Sequence, residues 1–214
     1  MNKFISVQEA VDMIKDGDTI MVGGFLAVGT PLRVIDALAQ SGKKNLTLIC
    51  NDTGYPDRGV GKLITNKQVS NLYVSHIGTN QNTIDQMNAG ELKVEFCPQG
   101  TLAERIRCGG AGLGGVLTAT GLGTVIAEGK QVVNVDGKDY LLEKPLHADF
   151  ALIGASKGDT EGNLVYRGTS QNFNPMMAMA ADTVIAEISE MVEPGQIEPE
   201  AVITPSILVK YIVK

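Results

Sequence analysis

Hydrophobic positions along the chain form short apolar runs, and stretches of helical periodicity separate these runs. Six of the runs predict strands: DTIMVGGF, LTLIC, VSNLYVSHI, LKVEFCP, ADFALIGAS and DTVIAEIS. Strands that are apolar throughout and alternate with helices are typical of a parallel sheet that is covered on both faces. We therefore predict an α/β fold, an open and mostly parallel sheet with helices on both faces.

Capping residues predict where the first two helices begin and end. Residues 6–9, Ser-Val-Gln-Glu, form a capping box, and Gly17 is predicted to end the helix that follows. The second helix is predicted to be capped by Thr30, to carry Pro31 at its first position and to end at Gly42. Three further helices are predicted over NTIDQMNAG, TLAERIRCGG and NPMMAMAA.

The middle of the chain interrupts the alternation with a β-hairpin. The segment QVVNVDGKDYLLE carries Asp136 and Gly137 as a two-residue turn between two alternating runs. No segment has the composition of a linker, so we predict a single domain over residues 1–214 with the hairpin as an excursion.

Charge and composition exclude several classes of protein. The chain has 18 Lys and Arg against 24 Asp and Glu, a net charge of −6, and no basic stripe, which argues against nucleic acid as a partner. No apolar run approaches the ~20 residues of a membrane span, and the first residues, MNKFISVQEAVDMIKDG, lack the apolar region of a signal peptide. The 3 cysteines are widely spaced, which predicts reduced thiols in the cytoplasm rather than disulfides. No cluster has metal-ligand spacing, so we predict no metal.

Glycine is over-represented, with 25 residues. Gly110, Gly112 and Gly115 match the pattern G-x-G-x-x-G, but a predicted helix precedes them where a dinucleotide site needs a strand. We therefore predict a loop that packs closely against a ligand or another chain.

The two histidines are the residues that titrate nearest neutral pH. His76 ends an apolar strand and His147 follows a proline, and neither has a neighbouring serine, cysteine or carboxylate that identifies a triad. A structural role is favoured for both, and their roles and those of the three cysteines are left open.

Four loops, GGFLAVGTP, NDTGYP, HIGTN and CPQGT, each follow a predicted strand. The carboxyl ends of parallel strands meet at one edge of a sheet, where ligands bind. The four loops therefore predict a ligand site at that edge. Within it, Gln99 precedes a helix and either presents its amide to a developing oxyanion or bonds a nearby backbone carbonyl.

Two motifs carry a resemblance to a known family. They are G-G-F-x-x-x-G-x-P at residues 23–31 and P-Q-G-T-L-x-E-R-I-R-x-G-G-x-G at residues 98–112. Over nearly its whole length, from about Phe4 to Tyr211, the sequence resembles the α (A) subunit of the family I CoA-transferases. NDTGYP, GLGGVLT and FNPMMAMAA make it most similar to the bacterial butyrate–acetoacetate and acetate–acetoacetate enzymes.

The resemblance implies a ping-pong exchange of CoA between an acyl-CoA and a short-chain carboxylate, through a glutamate that forms covalent intermediates. That glutamate lies in a Ser-Glu-Asn-Gly motif of the β half. In this chain the nearest string, Ser189-Glu190-Met191, lacks the Asn-Gly of that motif. The expected partner is therefore a separate β subunit, in an α2β2 assembly, with coenzyme A as substrate and no permanently bound cofactor.

Site residues follow from the same resemblance. Gln99 matches the glutamine that stabilises the oxyanion, and Asn51 and Asp52 match a pair beside the active site. The segment that matches the CoA-binding residues consists of Gly24, Phe25, Leu26, Ala27, Val28, Gly29 and Thr30.

Two alternatives of similar architecture remain open from the residues alone. One is a sugar-phosphate isomerase-like enzyme, which would act without CoA or a partner, and the other is a ligand-sensing domain. The carboxylic acid also stays open, since acetate, butyrate, acetoacetate, succinate and glutaconate users share the family's motifs.

Overall fold

The computed structural model describes residues 3–214, and the predicted strands form its main sheet. The strands are β1 (Thr19–Val22), β2 (Leu46–Asp52), β3 (Val69–His76), β4 (Lys93–Phe96), β5 (Val116–Thr118), β6 (Val132–Val135), β7 (Lys138–Glu143), β8 (Ala148–Asp159), β9 (Leu164–Val165), β10 (Ala181–Val192) and β11 (Tyr211–Val213). The helices are α1 (Val7–Met13), α2 (Leu32–Gln40), α3 (Val60–Thr65), α4 (Gln81–Asn88), α5 (Gln99–Gly110) and α6 (Asn174–Met179). Short 3-10 turns cover Val125–Ala127, Gly168–Ser170 and Pro199–Ala201.

The main sheet has eight strands, and seven of them run parallel in the order β11-β10-β8-β1-β2-β3-β4. The remaining strand, β9, pairs antiparallel with β8. The chain winds outward from β1 to β4 and then returns to the other side of β1 with β8. Strand order therefore reverses beside β1, and the crevice at such a switch point is where open α/β sheets bind ligands.

Helices cover both faces of the sheet, as predicted. In β1, Ile20 and Val22 pack into one buried cluster with residues of α1, α2 and α3. Met21 points the other way, into a second cluster with residues of α5 and α6. Because successive side chains of a strand alternate between two apolar layers, the strands are apolar throughout.

A second sheet of three antiparallel strands, in the order β5-β7-β6, contains the predicted hairpin. Asp136 and Gly137 lie between β6 and β7 with φ of 51° and 81°, as the predicted two-residue turn requires. The prediction missed β5, whose residues it placed in a glycine-rich loop.

The first helix has the predicted capping box: Glu9 N donates to Ser6 Oγ at 3.1 Å, and Ser6 N donates to Glu9 Oε2 at 2.7 Å. The bond from Ser6 N, together with one from Ser6 Oγ to the same carboxylate oxygen at 2.8 Å, holds the pKa of Glu9 below its usual value. The helix ends at Met13, however, and not at Gly17. Gly17 has φ of +87° and lies in the turn that leads to β1.

The predicted cap of α2 is wrong. Thr30 Oγ1 donates to the Gly23 carbonyl at 2.9 Å and does not cap the helix. The free amides of the first turn, Arg33 N and Val34 N, instead donate to Glu187 Oε2, both at 3.0 Å. A carboxylate from β10 therefore supplies the cap, and Pro31 precedes the helix.

The start of the glycine-rich segment packs against this chain itself, and contact of the loop with a ligand or another chain stays a prediction. A Cβ at Gly109 would collide with the Leu146 carbonyl, and a Cβ at Gly110 would lie 2.5 Å from the Met179 Cβ. The two glycines thus allow α5 to approach the segment before β8 and the end of α6. Around Gly112 the space is open.

Among residues 3–214, no helix has both the length and the apolar character that crossing a membrane requires.

Candidate functional site

The loop after β1, the last residues of β2 and β3 and the start of α5 meet at the carboxyl edge of the sheet, as predicted, and line one open cleft of about 380 Å³. We call it the Gln99 cleft. Its lining residues are Phe25, Leu26, Asn51, Asp52, Ser75, His76 and Gln99. The structure therefore brings together Gln99, the pair Asn51 and Asp52, and the first part of the glycine turn.

Hydrogen bonds connect the polar side chains of the Gln99 cleft. Gln99, the first residue of α5, donates from Nε2 to Asn51 Oδ1 at 2.7 Å, and Ser75 Oγ donates to the same oxygen at 3.0 Å. A primary amide has two N–H groups. The other N–H of the exposed Gln99 side chain has no acceptor among the described residues, so an oriented donor is available to a ligand.

Asp52 uses its carboxylate to hold backbone amides. It is 5% exposed, and its oxygens accept from Leu26 N at 3.0 and 3.3 Å and from Gly54 N at 2.8 Å. Asn51 Nδ2 adds a further bond to Asp52 Oδ2 at 2.7 Å. The carboxylate is thus internally satisfied, and it links β2 to the loop after β1.

That loop contains a tight turn, which we call the 25–28 turn. Phe25 and Val28 exchange two backbone hydrogen bonds, at 3.0 and 2.9 Å. Its two central residues, Leu26 and Ala27, have φ of 46° and 68°. Left-handed backbone costs a residue with a Cβ about 1–2 kcal/mol. Such strain persists where surrounding contacts enforce it, which occurs most often at functional sites.

Two asparagines hold the other side of the 25–28 turn. Asn172 accepts from Gly24 N and donates to the Val28 carbonyl, both at 3.0 Å. The buried Asn174 donates to the Gly29 carbonyl at 3.0 Å. No sequence pattern indicated either role, although Asn174 lies in the quoted segment FNPMMAMAA and Asn172 directly precedes it.

A second cleft, of about 350 Å³, lies across the turn, and we call it the Arg58 cleft. It is lined by Ala27, Val28, Gly29, Thr30, Leu32, Arg58, Gly154, Ala155, Ser156, Ser170, Glu187 and Ser189. The predicted CoA-binding segment is therefore a wall between two clefts. Phe25 and Leu26 face the Gln99 cleft, and Ala27 to Thr30 line the Arg58 cleft.

The two histidines lie at opposite edges of the sheet. His76, at the carboxyl end of β3, lines the Gln99 cleft, where its Nδ1 accepts from Gly78 N at 3.4 Å. His147 precedes β8 and lies at the amino edge, away from the cleft. Only the topology, and no local motif, distinguishes the two.

All three cysteines are free and buried. Burial, and secondarily the negative charge of Asp52, raises the pKa of Cys50. Burial also raises the pKa of the Cys97 thiol. Protonated, inaccessible thiols are poor nucleophiles, so neither of these two has the setting of a catalytic cysteine. Within residues 3–214, no group of three or more His, Cys, Asp or Glu side chains could hold a metal ion.

Comparisons with known proteins match this arrangement to one family. The coenzyme A transferase family model matches residues 4–214. The acetate CoA-transferase subunit alpha of Escherichia coli (strain K12) is 52% identical over 211 residues, which is 99% of this chain and 96% of the relative. The acetoacetyl-CoA:acetate/butyrate CoA transferase alpha subunit of Clostridium acetobutylicum is 54% identical over 213 residues, covering 100% of this chain and 98% of the relative.

A solved structure agrees with the fold. The acyl-CoA transferase of E. coli O157:H7, determined as a thioester complex with CoA, superimposes with a TM-score of 0.89 at 25% identity. The match covers 98% of this chain but 46% of that one, so this chain spans about half of the solved transferase. By sequence and by fold, this chain belongs to the coenzyme A transferase family.

Proposed function

We propose that this chain is the α subunit of a heteromeric short-chain acyl or 3-oxoacyl CoA-transferase. The enzyme moves CoA between an acyl-CoA and a carboxylate such as acetate, butyrate or acetoacetate. The observation that carries this proposal is the identity of 52% and 54% to two α subunits named for these acids, over 96% and 98% of their length. Coenzyme A enters as part of a substrate and is not a resident cofactor.

The proposed partner is a β subunit that supplies the nucleophilic glutamate, in an α2β2 assembly. Two observations support it: the relatives are named as alpha subunits, and the solved transferase is about twice as long as this chain. Residues 1–214 are proposed to act as one domain of this assembly. The three free thiols support a cytoplasmic location.

The proposed reaction is an exchange of acyl groups with no net change in oxidation state. The partner's glutamate carboxylate attacks the thioester carbonyl, the C–S bond breaks, and an acyl-glutamyl anhydride and CoA thiolate form. The thiolate then attacks the glutamyl carbonyl and releases the first acid as a carboxylate. A second carboxylate attacks the carbonyl of the resulting glutamyl thioester, the C–S bond breaks, and CoA thiolate and a new acyl-glutamyl anhydride form. The thiolate then attacks the new acyl carbonyl, which yields the new acyl-CoA and releases the glutamate as a carboxylate. Splitting the exchange in this way is covalent catalysis.

Each carbonyl attack places negative charge on oxygen, and Gln99 is the proposed donor to that oxyanion. Asn51 holds one N–H of the Gln99 amide at 2.7 Å, which orients the other N–H before the substrate arrives. A preorganised donor of this kind lowers the barrier by about 3 kcal/mol. Residues 24–30 are proposed to bind CoA, and Asn51 and Asp52 to line the site.

The test is co-expression with the chain encoded beside this one. Purified complex and each chain alone are assayed for CoA transfer from acetyl-CoA or butyryl-CoA to acetoacetate. We expect activity in the complex only, and Gln99→Ala should lower kcat about 100-fold with assembly intact.

Gln81→Ala is the matched control, because Gln81 also begins a helix after a strand and is exposed, and within residues 3–214 its side chain donates only to Asp85, at 2.8 Å. Its turnover should equal that of the parent complex. Parental turnover in Gln99→Ala would contradict the oxyanion role, and an inactive complex would contradict the proposed function.

A further inference from the structure

We propose that Asp52 and Asn172 are positioning residues that hold the 25–28 turn in its left-handed conformation and so keep the acyl-CoA site preformed. The inference rests on the proposed function for what the turn binds. How the turn is held depends only on the contacts described below.

A neighbouring turn at this strand edge closes the same two-residue loop without left-handed central residues. The sequence repeats a glycine, an aromatic residue, three others and a glycine at residues 24–29 and 54–59. Both segments close with an antiparallel bridge, Phe25 to Val28 in the first and Tyr55 to Arg58 in the second. In the second turn Pro56 fixes its own φ near −65°, and neither central residue has a positive φ. The first turn has no such intrinsic preference, because Leu26 and Ala27 both adopt a conformation that disfavours a Cβ.

Side chains from distant parts of the chain hold the first turn in this conformation instead. Leu26 N, the amide at the first left-handed residue, donates to both oxygens of Asp52. On the opposite side, Asn172 binds the groups that flank the turn, the Gly24 amide and the Val28 carbonyl. The two side chains therefore satisfy two backbone amides that the turn's own pair of hydrogen bonds leaves unpaired, those of Gly24 and Leu26, and Asn172 adds a second bond to the Val28 carbonyl.

The held turn separates the Gln99 cleft from the Arg58 cleft, so its relaxation would change both walls at once. A ligand that needs the held form has an apparent dissociation constant equal to its intrinsic dissociation constant divided by the fraction of molecules in that form. Loss of the Asp52 or the Asn172 side chain is thus expected to weaken acyl-CoA binding more than it slows the chemical step.

Amide hydrogen exchange of the full chain tests whether Asp52 holds the turn, and this measurement requires no enzymatic activity. Asp52→Ala should speed exchange of the Leu26 amide at least ~10-fold, since a bonded amide becomes free. Asp159→Ala is the matched control: Asp159 is 3% exposed and likewise accepts backbone amides, those of Glu161, Gly162 and Asn163, but it does not touch the turn. Unchanged exchange of the Leu26 amide in Asp52→Ala would overturn the proposal.

Kinetics of the α–β complex test the consequence. Asn172→Ala should raise KM for acyl-CoA about 10-fold and change kcat less than about 3-fold, and Asp52→Ala should raise KM by a similar factor, while Asp159→Ala changes neither constant. Adding Ala27→Gly to Asp52→Ala should recover most of the KM, because glycine adopts a positive φ without a steric penalty. Asn172→Ala carries the test if Asp52→Ala fails to fold.

The possible failures are distinguishable. If the parent complex transfers CoA and the variants Asp52→Ala and Asn172→Ala both keep the parental KM, the positioning role is wrong and the proposed function stands. If the parent complex transfers no CoA, the proposed function fails, and exchange of the Leu26 amide still decides whether Asp52 holds the turn.

Discussion

Asn174 offers the sharpest test of how the site wall is built. Its side chain is fully buried. Oδ1 accepts from Gly154 N at 3.1 Å, and Nδ2 donates to the carbonyls of Ser170 and Gly29, at 2.9 and 3.0 Å. Asn174→Asp keeps the size of the side chain but places an oxygen where the amide group faced two carbonyl oxygens.

The expected costs follow from these bonds. Asn174→Ala removes the partner of three backbone groups, the buried Gly154 amide and the part-buried carbonyls of Gly29 and Ser170, at about 1 kcal/mol each, so the free energy of unfolding should fall by about 3 kcal/mol. Asn174→Asp keeps the bond from Gly154 but buries a negative charge against two carbonyls. A buried charge without a partner is costly, so at pH 7 the loss should be about 5 kcal/mol and exceed that of alanine.

The same charge makes the cost depend on pH. Burial beside acceptors raises the folded-state pKa of the introduced carboxyl above its unfolded value of about 3.9. The folded protein then binds the extra proton, so the additional cost is complete above the raised pKa and disappears as pH falls toward 3.9. Once protonated, the carboxyl can donate to one of the carbonyls, and the variant should become more stable than Asn174→Ala.

Urea unfolding followed by far-UV circular dichroism at pH 7 and pH 5 measures these differences. Asn134→Asp is the control, since Asn134 is exposed in the hairpin and its amide donates to Asp139 at 2.6 Å. It should cost less than about 1 kcal/mol. An Asn174→Asp protein that is at least as stable as Asn174→Ala at pH 7, or a difference in stability that acid does not reduce, would contradict a buried charge at this position.

Three further outcomes are expected. Glu187→Ala removes the cap of α2 and should lower the free energy of unfolding by about 1–2 kcal/mol, measured by thermal or urea unfolding. In the same assay Gly109→Ala should cost about 2–3 kcal/mol, because its Cβ meets a backbone carbonyl, whereas Gly114→Ala has open space and should change stability by less than about 0.5 kcal/mol. Burial raises the pKa of Tyr166 to about 12, against an opposing hydrogen bond with Thr204. Between pH 10 and 12 the folded phenol therefore binds more protons than the unfolded one, and stability should fall by up to about 3 kcal/mol as pH rises, a slope that Tyr166→Phe should lack.

The sheet could be predicted from the sequence because its determinant is local. A run that is apolar on both faces needs a covered parallel sheet, and the strand order then places the four loops at one edge. That placement brought Gln99, Asn51 and Asp52 into one cleft. Their roles in catalysis stay predictions that the variants above test.

Two elements that are too short to show a clear hydrophobic pattern, α3 and β5, were not predicted from the sequence. Helix α3 has six residues with Gly61 near its start, and glycine is a weak helix former. Glycine is needed there because a Cβ would collide with the Tyr55 carbonyl. Strand β5, with three residues, is too short to show an alternation.

Long-range side-chain contacts could not be predicted either. Thr30 has the residue type and position of a cap, but the hydroxyl bonds back to Gly23, and the helix amides find Glu187, 154 residues away from Arg33. Likewise Asn172 lies 148 residues from the Gly24 amide that it accepts from. Nothing in the local sequence distinguishes such partners from surface side chains.

The central place of β1 determines when the site wall forms during synthesis. Val22 pairs on one side with Cys50 and on the other with Leu152, so one edge of β1 has no neighbour until β8 leaves the ribosome. The asparagines that hold the turn, at positions 172 and 174, emerge later still. A growing chain therefore carries an incomplete wall for most of its translation, and any protein that recognises this wall meets its target only once the chain is nearly finished.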